Sequence, residues 1–254
     1  MSQRDTAVRF ETVRKLDASR PTLIEGLPGH GLVAAIAADL ITRQLDLDLH
    51  GNVISADFPQ IASFKDGRTR DLVRVYAGAD PDVMTLQSDV ALPGQSFRAL
   101  SRCILDDLAE EFSRAVFLAG APAASESQIG DVFGIATTDA IESQLRAAEI
   151  EPAPGIGLLG GITGALVAEC NRADVPAAVL VVKANLYLPD PAAARAVIEH
   201  ALEPLVDFDV DTTELEAQAD QIRSQMEQIA QHYQQIAEAQ QAEIDEPRGP
   251  TMYQ

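Results

Sequence analysis

Short aliphatic runs alternate with amphipathic segments along most of the chain, and this alternation predicts strands interleaved with helices. In the first such unit, the apolar run 22–24 leads through a glycine-rich turn into a strongly apolar segment. One side of that segment carries the helically spaced residues Leu32, Ile36, Leu40 and Ile41. Strand, glycine turn and helix form the start of a βαβ unit, so the chain is predicted to be an α/β protein.

The same criteria predict the strands and helices of the chain as far as about residue 209. They predict strands at 53–56, 83–86, 115–121, 132–138 and 177–183, and helices at 96–114, 140–149 and 165–173. Residues 1–20 are expected to form an edge strand or an arm. Asp66 and Gly67, between the β-like runs 61–64 and 72–76, predict a hairpin turn. Ser96 and Asp190 each precede a predicted helix and are expected to cap it.

Apolar residues repeat every seven positions in the segment 211–244, which contains neither glycine nor proline. One heptad position carries Leu215, Ile222, Ile229 and Ile236, and another carries Ala219, Met226 and Tyr233. This spacing predicts a coiled coil, so these residues are candidate oligomerisation contacts. An amphipathic helix that packs on its own domain is the alternative. We therefore expect an α/β domain over 1–209, a coiled-coil helix over 210–244 and a flexible tail over 245–254.

The first glycine turn allows two interpretations. Residues 29–34 fit the G-x-G-x-x-G/A fingerprint, in which a helix N-terminus holds the pyrophosphate of a dinucleotide. That fingerprint requires an acidic residue about 20 positions further on. This chain has His50 and Gly51 there, and Asp57 comes too late. The turn is therefore expected to be structural.

A second glycine cluster, residues 155–164, also matches the dinucleotide spacing, but no strand-like run precedes it. We expect it to let a helix pack closely on the sheet, and we expect neither NAD nor ATP as a cofactor. A nucleotide- or small-molecule-binding role for the turn from Gly29 to Gly31 is the alternative, with His30 as a candidate ligand contact.

Charge narrows the range of partners. The chain has 39 acidic and 19 basic residues, which gives a formal net charge of −20. Such a surface repels nucleic acid and anionic membranes. It also suits a salt-rich cytoplasm, where repulsion is screened, so a halophilic source is predicted; an acidic partner-binding surface would give the same composition. No apolar run reaches the roughly 18 residues of a membrane span, and no signal segment is apparent, so we expect a cytoplasmic protein.

The reactive residues do not form a catalytic or metal-binding pattern. Cys103 and Cys170 lack C-x-x-C spacing and are expected to be buried, reduced thiols. Ser125 lacks the G-x-S-x-G context of a nucleophile elbow. The four histidines have no spaced second ligand and no acidic partner suited to catalysis. The acidic pairs at 106–107 and 110–111 are expected to form a solvated helix face, so the chain is predicted to be non-enzymatic.

Two blocks of sequence carry a resemblance to a known family. The first, EGLPGHGLVAAIAADLI, resembles the opening turn of the proteasome assembly chaperone family, E-G-x-P-G-x-G-L-V. The second, GGITGALVAECNRADVPAAVLVVKANLYLPDPAAARAVIEHAL, is similar to the family's later glycine helix, apolar strand and Pro-Asp-Pro helix start. The resemblance covers about residues 20–205. It implies a three-layer α/β/α fold, similar to that of nucleoside phosphorylases but without their catalytic residues.

The last residues add a candidate partner-binding motif. Prolines and a glycine between 247 and 250 end the predicted helix, and the chain closes with Met252, Tyr253 and Gln254. This ending resembles the tail by which proteasome activators and archaeal members of the family dock on the core particle. The resemblance implies a non-enzymatic chaperone or activator that binds the α-subunit ring. A coiled-coil scaffold unrelated to proteasomes is a further alternative.

Overall fold

The computed structural model describes residues 8–15, 19–185 and 187–224, without the side chain of Glu126. The strands are β1 (Arg9–Thr12), β2 (Thr22–Gly26), β3 (Asp48–Ile54), β4 (Ser63–Lys65), β5 (Arg68–Arg70), β6 (Val73–Ala79), β7 (Asp82–Ser88), β8 (Arg114–Pro122), β9 (Val132–Ala136) and β10 (Ala177–Ala184). The helices are α1 (Val33–Gln44), α2 (Phe97–Leu108), α3 (Asp139–Ala147), α4 (Gly161–Arg172), α5 (Pro191–Val197) and α6 (Glu203–Val206). A π-helical turn (Ile198–Leu202) joins α5 to α6, and residues 213–224 form the described part of a C-terminal helix.

Eight strands form one mixed sheet in the order β1-β3-β6-β7-β2-β8-β10-β9. Strands β7, β2, β8 and β10 run parallel, while β6, β3, β1 and β9 each run antiparallel to the strand through which they join the sheet. The central parallel strands are rich in buried aliphatic residues, as expected for strands that are covered on both faces. Because they run in one direction, these four strands all end at the same edge of the sheet.

Helices cover both faces of this sheet and divide the apolar interior into two clusters. Val116 and Phe117 are neighbours on β8 but belong to different clusters, because successive strand residues point to opposite faces. One cluster lies under α1, α3, α5 and the start of the C-terminal helix, and the other lies under α2 and α4. The predicted three-layer α/β/α fold is confirmed.

Most predicted elements are present, with shifted ends. The predicted helix over 96–114 ends at Leu108, and β8 begins at Arg114. The predicted helix over 165–173 begins earlier, at Gly161. In the segment predicted as an edge strand or arm, β1 is an edge strand that pairs with β3.

The predicted hairpin is confirmed at its turn and corrected in its second strand. Asp66 and Gly67 have φ angles of 52° and 75°, and they join β4 to β5. Positive φ at both central residues is typical of the tight hairpin turn that Asp-Gly favours. These two strands form a small separate sheet, and the run 72–76 belongs to β6 instead.

One predicted helix cap is wrong and the other is confirmed. The Ser96 hydroxyl donates to the carbonyl oxygen of Pro93 at 2.7 Å, because a 3₁₀ turn precedes α2 and draws this side chain backwards. The amide of Ala193 donates to Oδ1 of Asp190 at 3.0 Å, so Asp190 caps α5. The pairing of an aspartate cap with Pro191 in the first turn identifies this helix start more specifically than a single serine can.

The first heptad residue of the C-terminal helix belongs to the core of its own domain. Leu215 is buried in the cluster that α1 and α5 cover, whereas Ala219 and Ile222 are half-buried. The remaining heptad and tail residues lie outside the described residues: Met226, Ile229, Tyr233, Ile236, Met252, Tyr253 and Gln254. The oligomerisation and tail assignments therefore stay predictions.

Within residues 8–15, 19–185 and 187–224, no helix is both long and apolar enough to cross a membrane.

Candidate functional site

Four loops meet where the parallel strands end. We call this surface the carboxyl edge and define it as residues 26–32, 120–125, 155–163, 184–185 and 187–190. It contains the ends of β2, β8 and β10 and the start of α4. In α/β sheets, ligands and partners commonly bind at this edge.

The glycine turn packs closely against its neighbours at the carboxyl edge. A Cβ on Gly31, whose φ is +64°, would lie 2.7 Å from the carbonyl oxygen of Asn185. A Cβ on Gly120 would lie 2.4 Å from the carbonyl oxygen of His30. The amide of Asp190 donates to the carbonyl oxygen of Gly31 at 2.8 Å. Gly31 is therefore required both by its backbone angle and by the lack of room beside it.

Leu32 follows in an unfavourable backbone conformation. Its φ of 51° places it in the left-handed region, which costs a residue with a Cβ about 1–2 kcal/mol. Its side chain is also partly exposed. Backbone strain of this kind persists where the surrounding structure enforces it, and it is concentrated at functional sites.

Glu25, immediately before the turn, is fully buried. The amide of Leu27 donates to its Oε1 at 3.0 Å, and its Oε2 lies 3.4 Å from the hydroxyl of Thr163. Burial raises the pKa of the Glu25 carboxyl to about 8, and hydrogen bonds from Leu27, Leu118 and Thr163 offset only part of that effect. Near neutral pH the carboxyl therefore carries its proton and links the turn to α4.

An ion pair between a buried arginine and a partly exposed aspartate lies beside the end of β7. The guanidinium of Arg74 donates to both carboxylate oxygens of Asp89, at 2.8 and 2.7 Å. Arg70 donates to the same carboxylate at 2.7 Å, and the Ser63 hydroxyl donates to it as well. Burial opposes ionisation of Asp89, but the bonds from Arg74 and Ser63 outweigh it and lower the pKa of the carboxyl. No sequence pattern indicated this pair, because it joins two different strands through the packing of the sheet.

Comparison with known proteins identifies the family. The model described as the PAC2 family matches residues 23–230. The chain belongs to the PAC2 family. The crystal structure of Pyrococcus furiosus PbaA, described as an archaeal homolog of proteasome-assembly chaperone, has 26% sequence identity and a TM-score of 0.75. The match covers 91% of this PAC2 chain and 99% of that one.

The chain is also similar to two further proteins. Pyrococcus furiosus PbaB, described as an archaeal proteasome activator, shares the fold with a TM-score of 0.79 at 18% identity, over 89% of this chain and 99% of that one. An uncharacterised protein of Methanocaldococcus jannaschii is 25% identical over 215 residues, which are 84% of this chain and 87% of the relative.

His50 of this PAC2 protein has an acidic partner that no sequence pattern indicated. Its Nε2 lies 2.7 Å from Oε2 of Glu111, and its Nδ1 lies 2.7 Å from the carbonyl oxygen of Arg14. Because both ring nitrogens are occupied, neither is available to bind a metal or to move a proton of a substrate. The two bonds instead fasten β3 to the segments after β1 and α2. His30 and His200 are exposed, and His232 lies outside the described residues.

The cysteines and the other acidic residues match their predictions. Cys103 and Cys170 are free and buried, and burial raises the pKa of each thiol to about 12. The reactive thiolate is therefore scarce at neutral pH. Asp106, Asp107 and Glu110 are exposed, as predicted for a solvated face. Across the described residues, no three histidine, cysteine, aspartate or glutamate side chains are grouped so that they could hold a metal ion.

The expectation that no nucleotide cofactor binds gives the first testable prediction. A crevice of about 380 Å³ lies between the start of α1 and the pair Arg70 and Arg74, but both arginines are engaged by Asp89. The backbone beside Gly31 is likewise occupied by Asn185. Isothermal titration calorimetry with NAD and with ATP is expected to show no binding in the micromolar range. Micromolar affinity for either nucleotide would contradict this expectation.

Proposed function

We propose that this PAC2 protein is a proteasome assembly chaperone or activator that binds the α-subunit ring of the core particle and catalyses no reaction. The observation that carries the proposal is the match to PbaA, which extends over nearly the whole of both chains. A fold by itself does not specify a function, so the proposed contact depends on particular residues. The proposed partner implies a cytoplasmic location.

The C-terminal tail is the proposed contact. Tyr253 inserts its ring into a pocket on the ring of α subunits, where its hydroxyl finds a polar partner, and Met252 covers the apolar rim of that pocket. The free carboxylate of Gln254 pairs with a basic residue of the pocket, in a charge-assisted bond that is stronger than a neutral hydrogen bond.

Several tails acting together give the proposed complex its affinity. A single short segment binds weakly, because ordering it costs free energy. An oligomer that presents several tails to a ring gains through effective concentration. In this proposal the heptad residues beyond the domain join the copies, while Leu215 contributes to the domain core.

The state of the reactive side chains supports a non-enzymatic role. Glu25 is buried beneath the glycine turn, and both ring nitrogens of His50 are bonded within the domain. Burial keeps Cys103 and Cys170 in the thiol form. Binding of a partner is the function that this arrangement serves best.

A pull-down of proteasome α subunits with the full-length protein tests the proposal. Tyr253→Ala, deletion of residues 252–254, and a C-terminal tag that masks the carboxylate are each expected to abolish binding. Gln254→Ala is the matched control, because the motif accepts any last residue and the terminal carboxylate is retained; it should bind like the unchanged chain. If binding survives all three disruptive changes, the folded domain makes the contact and the tail does not.

A further inference from the structure

The loops of the carboxyl edge carry almost no formal charge. The segments 26–38, 115–125, 152–168 and 184–189 contain no aspartate, glutamate, lysine or arginine, although these residues make up 23% of the chain. Asp190 follows the last of them, but it is buried and caps α5. The loops after β2, β8 and β10 are therefore uncharged in a chain with a net charge of −20, although Asp89 with its two arginines lies beside the end of β7 and the Lys183 ammonium bonds to the carbonyl oxygen of Pro122.

Large apolar side chains are exposed on these uncharged loops. Ile156 and Leu158 are fully exposed, Tyr187 is 93% exposed, and Leu32 is 39% exposed. Within the described part of the chain, no atom lies within 4 Å of the position that a Cβ would take on Gly155, Gly157 or Gly160, so these three positions of the loop face open space, while Leu159 between them packs against the core. Exposing these side chains forgoes the free energy of their burial. Clustered apolar exposure of this kind is typical of an interaction surface.

The C-terminal helix is directed toward the same edge. The Thr212 hydroxyl bonds to the carboxylate of Glu199, and Glu216 pairs with Arg195 at 3.1 Å. The residue numbers along the C-terminal helix therefore rise while those of their partners on α5 and its continuation fall. The two helices run antiparallel. α5 begins at the carboxyl edge, where the amide of Asp190 bonds to Gly31.

We propose that the carboxyl edge is a self-association surface, and that its occupant is the carboxyl edge of a second copy of this chain. The distribution of charge on the chain favours a second copy as the occupant. The acidic faces of two copies repel each other, whereas two neutral edges can be buried together without that repulsion. A partner with a basic surface would be attracted to the acidic faces instead.

A two-fold arrangement follows from this choice of occupant. The same patch is used by both copies, so Ile156 and Leu158 of each copy enter one shared apolar interface. This proposal is independent of proteasome binding, because the association needs only copies of the chain.

Light scattering on the full-length chain over a range of concentrations tests the proposal. The unchanged chain is expected to form a dimer or a larger oligomer. The double change Ile156→Asp with Leu158→Asp is expected to raise the dissociation constant by at least about a hundredfold, because association would bury two unpaired carboxylates from each copy. Phe64→Asp is the matched control, since Phe64 is 74% exposed on the separate hairpin sheet, and its mass should be that of the unchanged chain. Circular dichroism should report the same fold for all three proteins.

Ionic strength and a second variant distinguish association through the carboxyl edge from association through other contacts. Raising the ionic strength from about 0.1 M to about 1 M shortens the Debye length from about 10 Å to about 3 Å, so the unchanged chain should associate more tightly. A monomeric chain at every concentration would overturn the proposal. It would also fail if Ile222→Asp with Ile229→Asp lowered the mass while the edge variant did not, because the heptad alone would then hold the copies together. An edge variant that kept its mass but lost the proteasome in the pull-down would assign the edge to the proteasome instead.

Discussion

Replacing Glu25 with glutamine is expected to raise the free energy of unfolding by about 4 kcal/mol near pH 9 and to change it little near pH 5. The folded chain keeps the Glu25 proton up to a pH of about 8, whereas the unfolded chain releases it near the ordinary pKa of 4.5. Between these values the folded state binds more protons, so the free energy of unfolding falls as the pH rises, by up to about 1.4 kcal/mol per unit. Glutamine does not titrate and can keep the bonds to Leu27 and Thr163, so the variant avoids this loss.

Urea unfolding of both proteins across this pH range measures the effect. The difference between the two proteins isolates Glu25, because the other titrating groups are common to both. Glu142→Gln is the matched control: Glu142 is exposed on α3 and pairs with the exposed Arg146, so its replacement should change the free energy of unfolding by less than about 1 kcal/mol. Parallel pH curves for the unchanged chain and Glu25→Gln would mean that Glu25 is already charged in the folded protein.

Replacing Asp89 with alanine is expected to lower the free energy of unfolding by about 3 kcal/mol, because it leaves the buried Arg74 guanidinium without its counter-charge; the partial exposure of Asp89 places this cost at the low end of the range for buried pairs. The bonds from Arg70 and Ser63 would be lost at the same time, which would detach the hairpin of β4 and β5 from the end of β7. Chemical denaturation near neutral pH measures this loss.

Arg70→Ala serves as the matched control for Asp89→Ala. It removes another arginine from the same carboxylate, but Arg70 is partly exposed and the Arg74 pair stays intact. Its cost should therefore be about 1 kcal/mol or less. Equal losses in the two variants would show that the burial of Arg74 does not determine the stability of this cluster.

The local pattern of apolar residues was sufficient to predict most elements of the fold. The run 177–183 is β10 almost residue for residue, and Asp190 caps the helix that it was expected to cap. The periodicity of a strand or a helix is a pattern over a few neighbouring residues, so it can be read from the sequence without knowledge of the tertiary contacts. Helix ends were less predictable: Ser96 turns back to Pro93, because a 3₁₀ turn that no propensity indicated precedes α2.

The candidate site could be predicted only in part from the sequence. The E-G-x-P-G turn marked where the site begins, but no pattern indicated that Glu25 is fully buried or that Thr163 reaches it from α4. Glu111 lies 61 residues from His50, so their bond depends on how α2 ends beside β3. Contacts of this kind depend on the packing of distant segments, and a single sequence without partner information does not encode them in any short motif.

The sequence by itself determined the alternation of strands and helices, the family to which the chain belongs, its net charge and its neutral loops. These properties depend on the composition and order of nearby residues, so they can be recognised without knowing how the segments pack. Only the tertiary structure decided that the neutral loops share one edge and that Leu215 belongs to the domain core. Burial in that structure also raises the pKa of the Glu25 carboxyl to about 8. The physical reason is that burial and proximity are properties of the packed sheet, whose parallel strands bring together loops that are far apart along the chain.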